Sequence, residues 1–309
     1  LSSFFIILSK ITCILPSIDC FLQELPLKTF NAFSGKGNID KLERGFLPSS
    51  SGEKIAVNPI QVIPVEGLPL IKPGDDLAQL IIDAANKKGT PLQENDVIVI
   101  THVVVSKSEG NIVNLDGITP TEQAIEIAKK TDKDPAMVQV VLNETKDIVR
   151  VGPNSIITET KSGIVCANAG VDRSNVLGDR NAVPLPKDPN LSAKNIRQNI
   201  KQLLGINVAV IVSDTHGRPF RMGEINVAVG ASGIKPIRDH RGEKDLFGYT
   251  LRIKQTAIAD ELASAAELVI GQSSEGIPAA IVRGYSYAVE ENVSATELNR
   301  PKEKDLFRK

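Results

Sequence analysis

The sequence has no tryptophan, and aromatic residues make up only 4% of it, which argues against stacking platforms for single-stranded nucleic acid. An excess of charge of either sign is missing too. Lysines and arginines number 36 against 37 aspartates and glutamates, so a net charge of -1 offers no overall attraction to nucleic acid or to an anionic membrane. Cysteine is scarce: Cys13, Cys20 and Cys166 form no CxxC pair and no His/Cys cluster of zinc spacing. A disulfide scaffold is therefore excluded, and a reducing compartment fits. Also absent are GxxxxGK[ST], GxGxxG after a strand, HExxH and GxSxG, so neither a P-loop nor a familiar hydrolase is encoded.

An uninterrupted long apolar run is lacking as well. The nearest approach, LSSFFIILSKITCILPSIDCFLQ at the start, is broken by Lys10, Pro16 and Asp19 and falls short of a membrane-spanning helix. It has no basic start and no clear small-residue cleavage site, which weakens a signal-peptide reading. Residues 1–54 read as a poorly ordered or non-native N-terminal extension, and residues 55–309 as one domain.

What is present is a chain of 309 residues, 41% hydrophobic, enough for a substantial core. VIPVEG (62–67) reads as a strand. DDLAQLIIDAANKKG (75–89) follows with Leu77, Leu80, Ile81 and Ala84 at helical spacing, Asp75 as cap and Gly89 as stop. The β-branched run DVIVITHVVVSKSEG (96–110) predicts a long buried strand with a polar tip. Two helices are expected over 119–132 and 134–145, the second with Asp134 as N-cap and Pro135 at its first position. Residues 148–170 alternate short β-rich runs around Gly152-Pro153 and Ser162-Gly163, an antiparallel meander. LSAKNIRQNIKQLLG is amphipathic, VAVIVSD and INVAVGASGI read as strands, TLRIKQTAIAD as another, and DELASAAELVIG as a helix ending at Gly271. Hairpins and helices in this balance predict an α+β fold with mixed, largely antiparallel sheets and packed helices.

Polar clusters sit where the apolar strands end, on loops held by a rigid support. In ANAGVDRSN (167–175), Asp172 can hold a hard divalent cation or close an Asx turn on its own backbone. In VSDTHGRPFRMG (212–223), Asp214 and Thr215 offer oxygen ligands, and Arg218 and Arg221 offer forked donors to phosphate or carboxylate. The alternative there is an N-cap at Asp214 with surface arginines. His216 has no spaced partner for zinc. VEGLP (65–69) and HVVVSKSEG (102–110) each end with Glu and Gly, and Lys107 is either a phosphate contact or a surface lysine. IGQSSEGIPAAIVRG (270–284) combines a helix C-cap at Gly271 with small polar residues suited to a nucleotide loop.

Six segments in order, PVEGLPLIKPGDDL, VVSKSEG, ANAGVDRSNV, VSDTHGRPFRMG, KDLFGYTL and GQSSEGIPAAIVRG, resemble the coenzyme F420-0:L-glutamate ligase family between about Val62 and Gly284. The resemblance implies an F420 ligase-like fold and a cytoplasmic, homodimeric enzyme. Such an enzyme uses GTP, Mg2+ or Mn2+, and K+ to join L-glutamate to the carboxylate of F420-0. It implies Asp172, Asp214, Thr215 and Gln272 as metal ligands, with catalysis at Asp172 and Asp214. Arg218 and Arg221 are added as phosphate or carboxylate contacts on their chemistry alone. Nucleotide contacts are implied at Glu66, Gly67, Leu68 and Pro69, at His102, Val103, Lys107 and Asn175, and at Ile270, Gly271, Gln272, Ser273, Ser274, Glu275, Gly276 and Ile277. Two other readings share these residues: a ligase of the same scaffold for another carboxylate and amine, and a non-catalytic nucleotide-binding protein.

Overall fold

Apolar strands that alternate their side chains between two covered faces build the centre of this protein. The structure is a computed structural model that describes residues 59–307. The reading of residues 1–54 lies outside the described residues.

In chain order, β1 (Gln61–Pro64), α1 (Leu77–Lys87), β2 (Val97–Thr101) and α2 (His102–Ser108) come first. Then follow β3 (Val113–Asn114), α3 (Glu122–Thr131), α4 (Pro135–Glu144) and the meander β4 (Thr145–Gly152), β5 (Ser155–Thr160) and β6 (Val165–Ala167). After β7 (Asn181–Ala182) come α5 (Pro189–Leu204), β8 (Ala209–Gly217), β9 (Glu224–Ile234), β10 (Arg238–Asp239) and β11 (Gln255–Thr256). The last elements of this series are α6 (Ile258–Ile270), β12 (Ala279–Arg283) and β13 (Val289–Glu290).

The main sheet has six strands in the order β1-β12-β2-β8-β9-β13. Every pairing in it is antiparallel except β2 with β8, so the arrangement is α+β as the pattern of hairpins and helices indicates. Ile98, Ile100, Val210, Val212 and Ile281 pack on one face against Leu77, Ile81 and Ile82 of α1 and Ala193, Ile196 and Ile200 of α5. Val97, Val99, Ala209, Ile211 and Val282 pack on the other against Ile258, Leu262, Ala266 and Ile270 of α6. Burial on both faces explains why these strands read as continuous apolar runs. Each fully buried Ile or Val contributes about 1.5–3 kcal/mol. A separate core joins α3, α4 and β5 through Ile127, Val138, Val141 and Ile156.

Three local readings are corrected. The run 96–110 is a strand only to Thr101; the next seven residues turn into α2, which buries His102, Val104, Val105 and Ser106. Packing of that face outweighs the β preference of three valines, as tertiary context often does. The first helix is capped by Asp76, whose carboxylate accepts from the Ala78 and Gln79 amides, while Asp75 accepts from the Lys72 amide. The expected strand over 250–260 shrinks to Gln255–Thr256, because α6 already begins at Ile258.

Strand polarity then gathers loops at one edge. The C-terminal ends of β2 and β8 lie together because the two are parallel, with Thr101 opposite Ser213. Antiparallel partners bring the start of β12 and the end of β1 to the same edge, through Ala279 opposite Ile100 and Pro64 opposite Ala280. Segments 65–71, 101–107, 213–217 and 270–278 therefore converge there. Ligand sites in mixed sheets commonly form at such an edge, outside the carboxyl ends of parallel strands.

Candidate active site

A bulge sets the register of the strand that carries most of the chemistry. Val212 pairs with Gly230, but Ser213 pairs with Ala228, leaving Val229 as the extra residue. Beyond the bulge Thr215 falls opposite Asn226, and the Thr215 hydroxyl donates to Asn226 Oδ1 at 2.8 Å. Bulges often re-aim side chains beside functional sites.

The converging loops surround a cavity of 240 Å³. Its walls include Leu68, Pro69, His102, Val103, Lys107, Asp172, Asn175, Asp214, Thr215, Ile270, Gly271, Gln272, Ser273, Glu275, Gly276 and Ile277. Ser213 and Asn226, which the sequence does not single out, line it too. Five suggested residues do not line it. Glu66 forms an ion pair with Lys88, Gly67 and Ser274 sit in the flanking loops, and Arg218 and Arg221 lie on the exposed β8–β9 turn, where Arg218 donates to the Met222 carbonyl at 2.7 Å. The turn reverses the chain in the six residues between β8 and β9, and neither arginine is among the residues that line the cavity.

Asp214 is nearly buried between two imidazoles. His102 Nε2 lies 3.2 Å from its Oδ1 and His216 Nε2 lies 3.0 Å from its Oδ2. His102 reaches it across the parallel pair, one residue past Thr101; His216 reaches it as the second residue along the same strand face. The Thr215 amide also donates to Asp214 Oδ1 at 2.8 Å. Burial pushes this carboxyl up, yet His102 first and His216 second hold it well below the usual carboxylate range. Cys166 feels the opposite effect: burial, and then the negative charge of Asp214, push its thiol far up.

Asp172 does close an Asx turn, accepting from the Ser174 amide at 2.7 Å and the Ser174 hydroxyl at 2.8 Å. It also lines the cavity, so the turn fixes a carboxylate at the wall rather than hiding it. Lys107 Nζ donates to the Asn175 carbonyl at 2.5 Å. Burial lowers its pKa, and the Asp172 carboxylate works in the other direction.

Gln272 completes a polar network. Its Nε2 donates to Glu267 Oε1 and, at 3.1 Å, to Thr215 Oγ1, while its Oε1 lies 3.2 Å from the same hydroxyl. Glu267 Oε2 accepts from the Asn226 amide at 2.7 Å. Neither Asn226 nor Glu267 carries a sequence signal: one reads as a mid-strand polar residue and the other as part of an exposed helix face.

Among the described residues no three His, Cys, Asp or Glu side chains form a ready metal cluster. The four expected ligands that line this cavity, Asp172, Asp214, Thr215 and Gln272, are instead two carboxylates, a hydroxyl and an amide oxygen, a hard set that fits Mg2+ or Mn2+ and does not suit zinc. Two polar groups of cavity-lining residues, His102 Nδ1 and Ser213 Oγ, are buried without a hydrogen-bond partner. Buried polar groups are rarely left so, and at the edge of a cavity a bound polar group can supply the missing partner.

Fold and site together define an α+β protein with an oxygen-rich ligand cleft at the carboxyl ends of its parallel strand pair. Residues 67–284 match the sequence model of the family described as F420-0:Gamma-glutamyl ligase. The chain is 50% identical over 250 residues to the coenzyme F420:L-glutamate ligase of Methanothermobacter thermautotrophicus, covering 81% of this chain and 99% of that protein. It is 49% identical over 251 residues to the protein of the same name from Methanocaldococcus jannaschii, with 81% and 97% coverage. The counterpart from Methanosarcina acetivorans is 41% identical over 249 residues, with 81% and 95% coverage. The chain belongs to the F420-0:gamma-glutamyl ligase family.

Proposed function

We propose that this protein is a GTP-dependent ligase that joins the amine of L-glutamate to the carboxylate of coenzyme F420-0 through an acyl phosphate. The observation that carries this reading is the single cavity lined by Asp172, Asp214, Thr215, Gln272 and Lys107.

A free carboxylate has no leaving group an amine can displace, so activation must come first. Transfer of the γ-phosphoryl group of GTP to the F420-0 carboxylate makes an acyl phosphate and releases GDP. The glutamate amine then attacks that carbonyl carbon, the tetrahedral intermediate collapses, and phosphate departs with the amide formed. Phosphoryl transfer of this kind depends on positioning and on neutralising the phosphate oxygens.

Asp172, Asp214, Thr215 and Gln272 would hold a divalent cation, Mg2+ or Mn2+, which when bound supplies that neutralisation. Lys107, held at the wall by Asn175, adds a positive charge for a phosphate. The loop 270–277, with Gly271, Ser273, Ser274 and Gly276, has the small residues and backbone amides that let a nucleotide approach closely, and Leu68 and Pro69 add apolar wall beside it. K+ belongs to the same proposal as a stimulating monovalent ion. We also assign a homodimer, supported by Phe220, Met222, Leu246, Phe247 and Ile253, large apolar side chains that are each at least 88% exposed.

No helix among the described residues is long and apolar enough to cross a membrane. Incubation with GTP, Mn2+, F420-0 and glutamate, with KCl against NaCl, tests the reading. GDP, phosphate and a product heavier by glutamate are expected, with faster turnover in KCl. GDP without a glutamylated product, or no turnover at all, overturns it. Sedimentation of the purified protein at the mass of two chains is expected, and a monomer at micromolar concentration would remove the dimer.

A further inference from the structure

We propose that Glu267 is a positioning residue: it dictates which end of the Gln272 amide faces the cavity, so that an oxygen is presented to the divalent cation. The inference rests on the metal reading of Gln272 given above.

A glutamine amide has two nearly isosteric ends, one a donor and one an acceptor, and only hydrogen bonding chooses between them. A cation needs the oxygen. Gln272 follows α6 directly, after Gly271, whose positive φ of 75° turns the chain back so that Gln272 meets the last turn of the helix. Glu267 waits there. As a carboxylate it has no hydrogen to give, so it accepts from Gln272 Nε2 and rejects the opposite flip, which would set two acceptor oxygens against each other. Nε2 also donates to Thr215 Oγ1 at 3.1 Å, so both of its hydrogens are engaged, and Oε1, 3.2 Å from the same hydroxyl, is left for the cavity wall.

The second carboxylate oxygen fixes Glu267 itself. Oε2 accepts from the backbone amide of Asn226 at 2.7 Å, and Asn226 is 2% exposed on the far side of the same network. Asn226 Oδ1 in turn accepts the only proton of Thr215 Oγ1. That bond leaves the hydroxyl to accept from Gln272 Nε2 at 3.1 Å through one lone pair and to keep the other for the site. One carboxylate thus stands behind two of the oxygen donors, Gln272 directly and Thr215 through Asn226.

The arrangement makes a specific substitution informative. In Glu267→Gln the Asn226 amide still demands an oxygen, so the new NH2 group must face Gln272. That group donates to Gln272 Oε1 and turns Nε2 toward the cavity. The exchange Glu267→Gln with Gln272→Glu restores an oxygen: the NH2 at 267 binds one carboxylate oxygen, and the other faces the site.

Mn2+ binding, read from the electron paramagnetic resonance signal of the free ion without substrates, tests this independently of turnover. Glu267→Gln and Gln272→Ala should each raise the Mn2+ dissociation constant roughly 10–100-fold, the range for partners that orient metal ligands. The Glu267→Gln/Gln272→Ala double variant should be no worse than either single change within about twofold, because both act through one contact. The exchange variant should recover most of the lost affinity. Wild-type Mn2+ affinity in Glu267→Gln beside a weakened Gln272→Ala overturns the proposal, as does additivity in the double variant or failure of the exchange to recover binding. Wild-type affinity in Gln272→Ala itself would sink the metal reading of that residue, and the proposal with it. If Glu267→Gln does not fold, the exchange variant alone still decides the matter.

Discussion

His102 Nε2 and Asp214 Oδ1 lie 3.2 Å apart because the strands that deliver them run parallel and in register, Thr101 opposite Ser213. The imidazole and the carboxylate are each the next residue along. His216 closes the other oxygen of the same carboxylate, so the rotamer of Asp214 is held from two sides.

That clamp separates shape from charge in one substitution. Asp214→Asn keeps the size of the side chain and one acceptor oxygen for an imidazole N–H, but removes the charge that the proposed cation would need. Turnover should fall by roughly 10²-fold or more, beyond the loss typical of residues that only orient ligands. The circular dichroism spectrum should stay that of the wild type. GDP release near the wild-type rate would contradict a metal role for Asp214.

Cys166 packs in the core beneath the site, and both burial and the Asp214 charge disfavour its thiolate. The thiolate is the reactive form, so this residue should resist alkylation in the folded protein. Peptide mapping after iodoacetamide at mildly alkaline pH should find Cys166 unmodified in the native protein and fully modified in denaturant. Fast native labelling would show that the core under β6 opens.

Stability away from the site should depend on pH through Asp134. Its carboxylate caps α4, accepting from the Ala136 amide at 2.8 Å, and pairs with Arg180. The Arg180 hydrogen bond is the main reason its pKa is lowered, with burial opposing and the Ala136 amide adding. A lowered folded pKa means the stabilisation is complete above the ordinary aspartate range and fades as pH falls through the lowered value. Asp134→Ala should therefore cost about 1 kcal/mol at neutral pH, typical of a lost N-cap. Urea melts at successively lower pH, from neutral down through and below the ordinary aspartate range, should show that difference shrinking.

Much of this molecule is written locally. The N-cap at Asp134 with Pro135, the meander around Gly152 and Gly163, the amphipathic α5 and the apolar β8 and β9 all follow from spacing and turn chemistry. Asp172, Asp214, Thr215 and Gln272 stand out because polar residues closing an apolar strand or helix are unusual. What does not show in the sequence is relational. Asn226 meets Thr215 only through the bulge at Val229, and Glu267 meets Gln272 only because Gly271 reverses the chain. His216 looks idle without a zinc-spaced partner, yet its partner is the carboxylate two residues before it. Val103 to Val105 have the side chains of a strand and lie in a helix, since burial of one face outweighs preference over so short a segment.

The bulge itself offers the last test. Gly230 is the residue of β9 opposite Val212, next to the extra Val229, and a Cβ there would overlap the Pro189 carbonyl at the start of α5. Backbone on both sides leaves no flexible atom to yield, so either α5 or β9 must shift. Gly230→Ala should cost about 1–3 kcal/mol, the usual range for overpacking a core. For a domain of this size that corresponds to a fall in Tm of about 2–4 °C per kcal/mol. Displacement of β9 would also disturb the Thr215–Asn226 pairing, so Mn2+ affinity should fall along with stability. A substitution elsewhere under α5, such as Ala193→Gly, should lower Tm without moving Mn2+ affinity. Equal affinity loss in both variants would mean that the bulge has no privileged hold on the site.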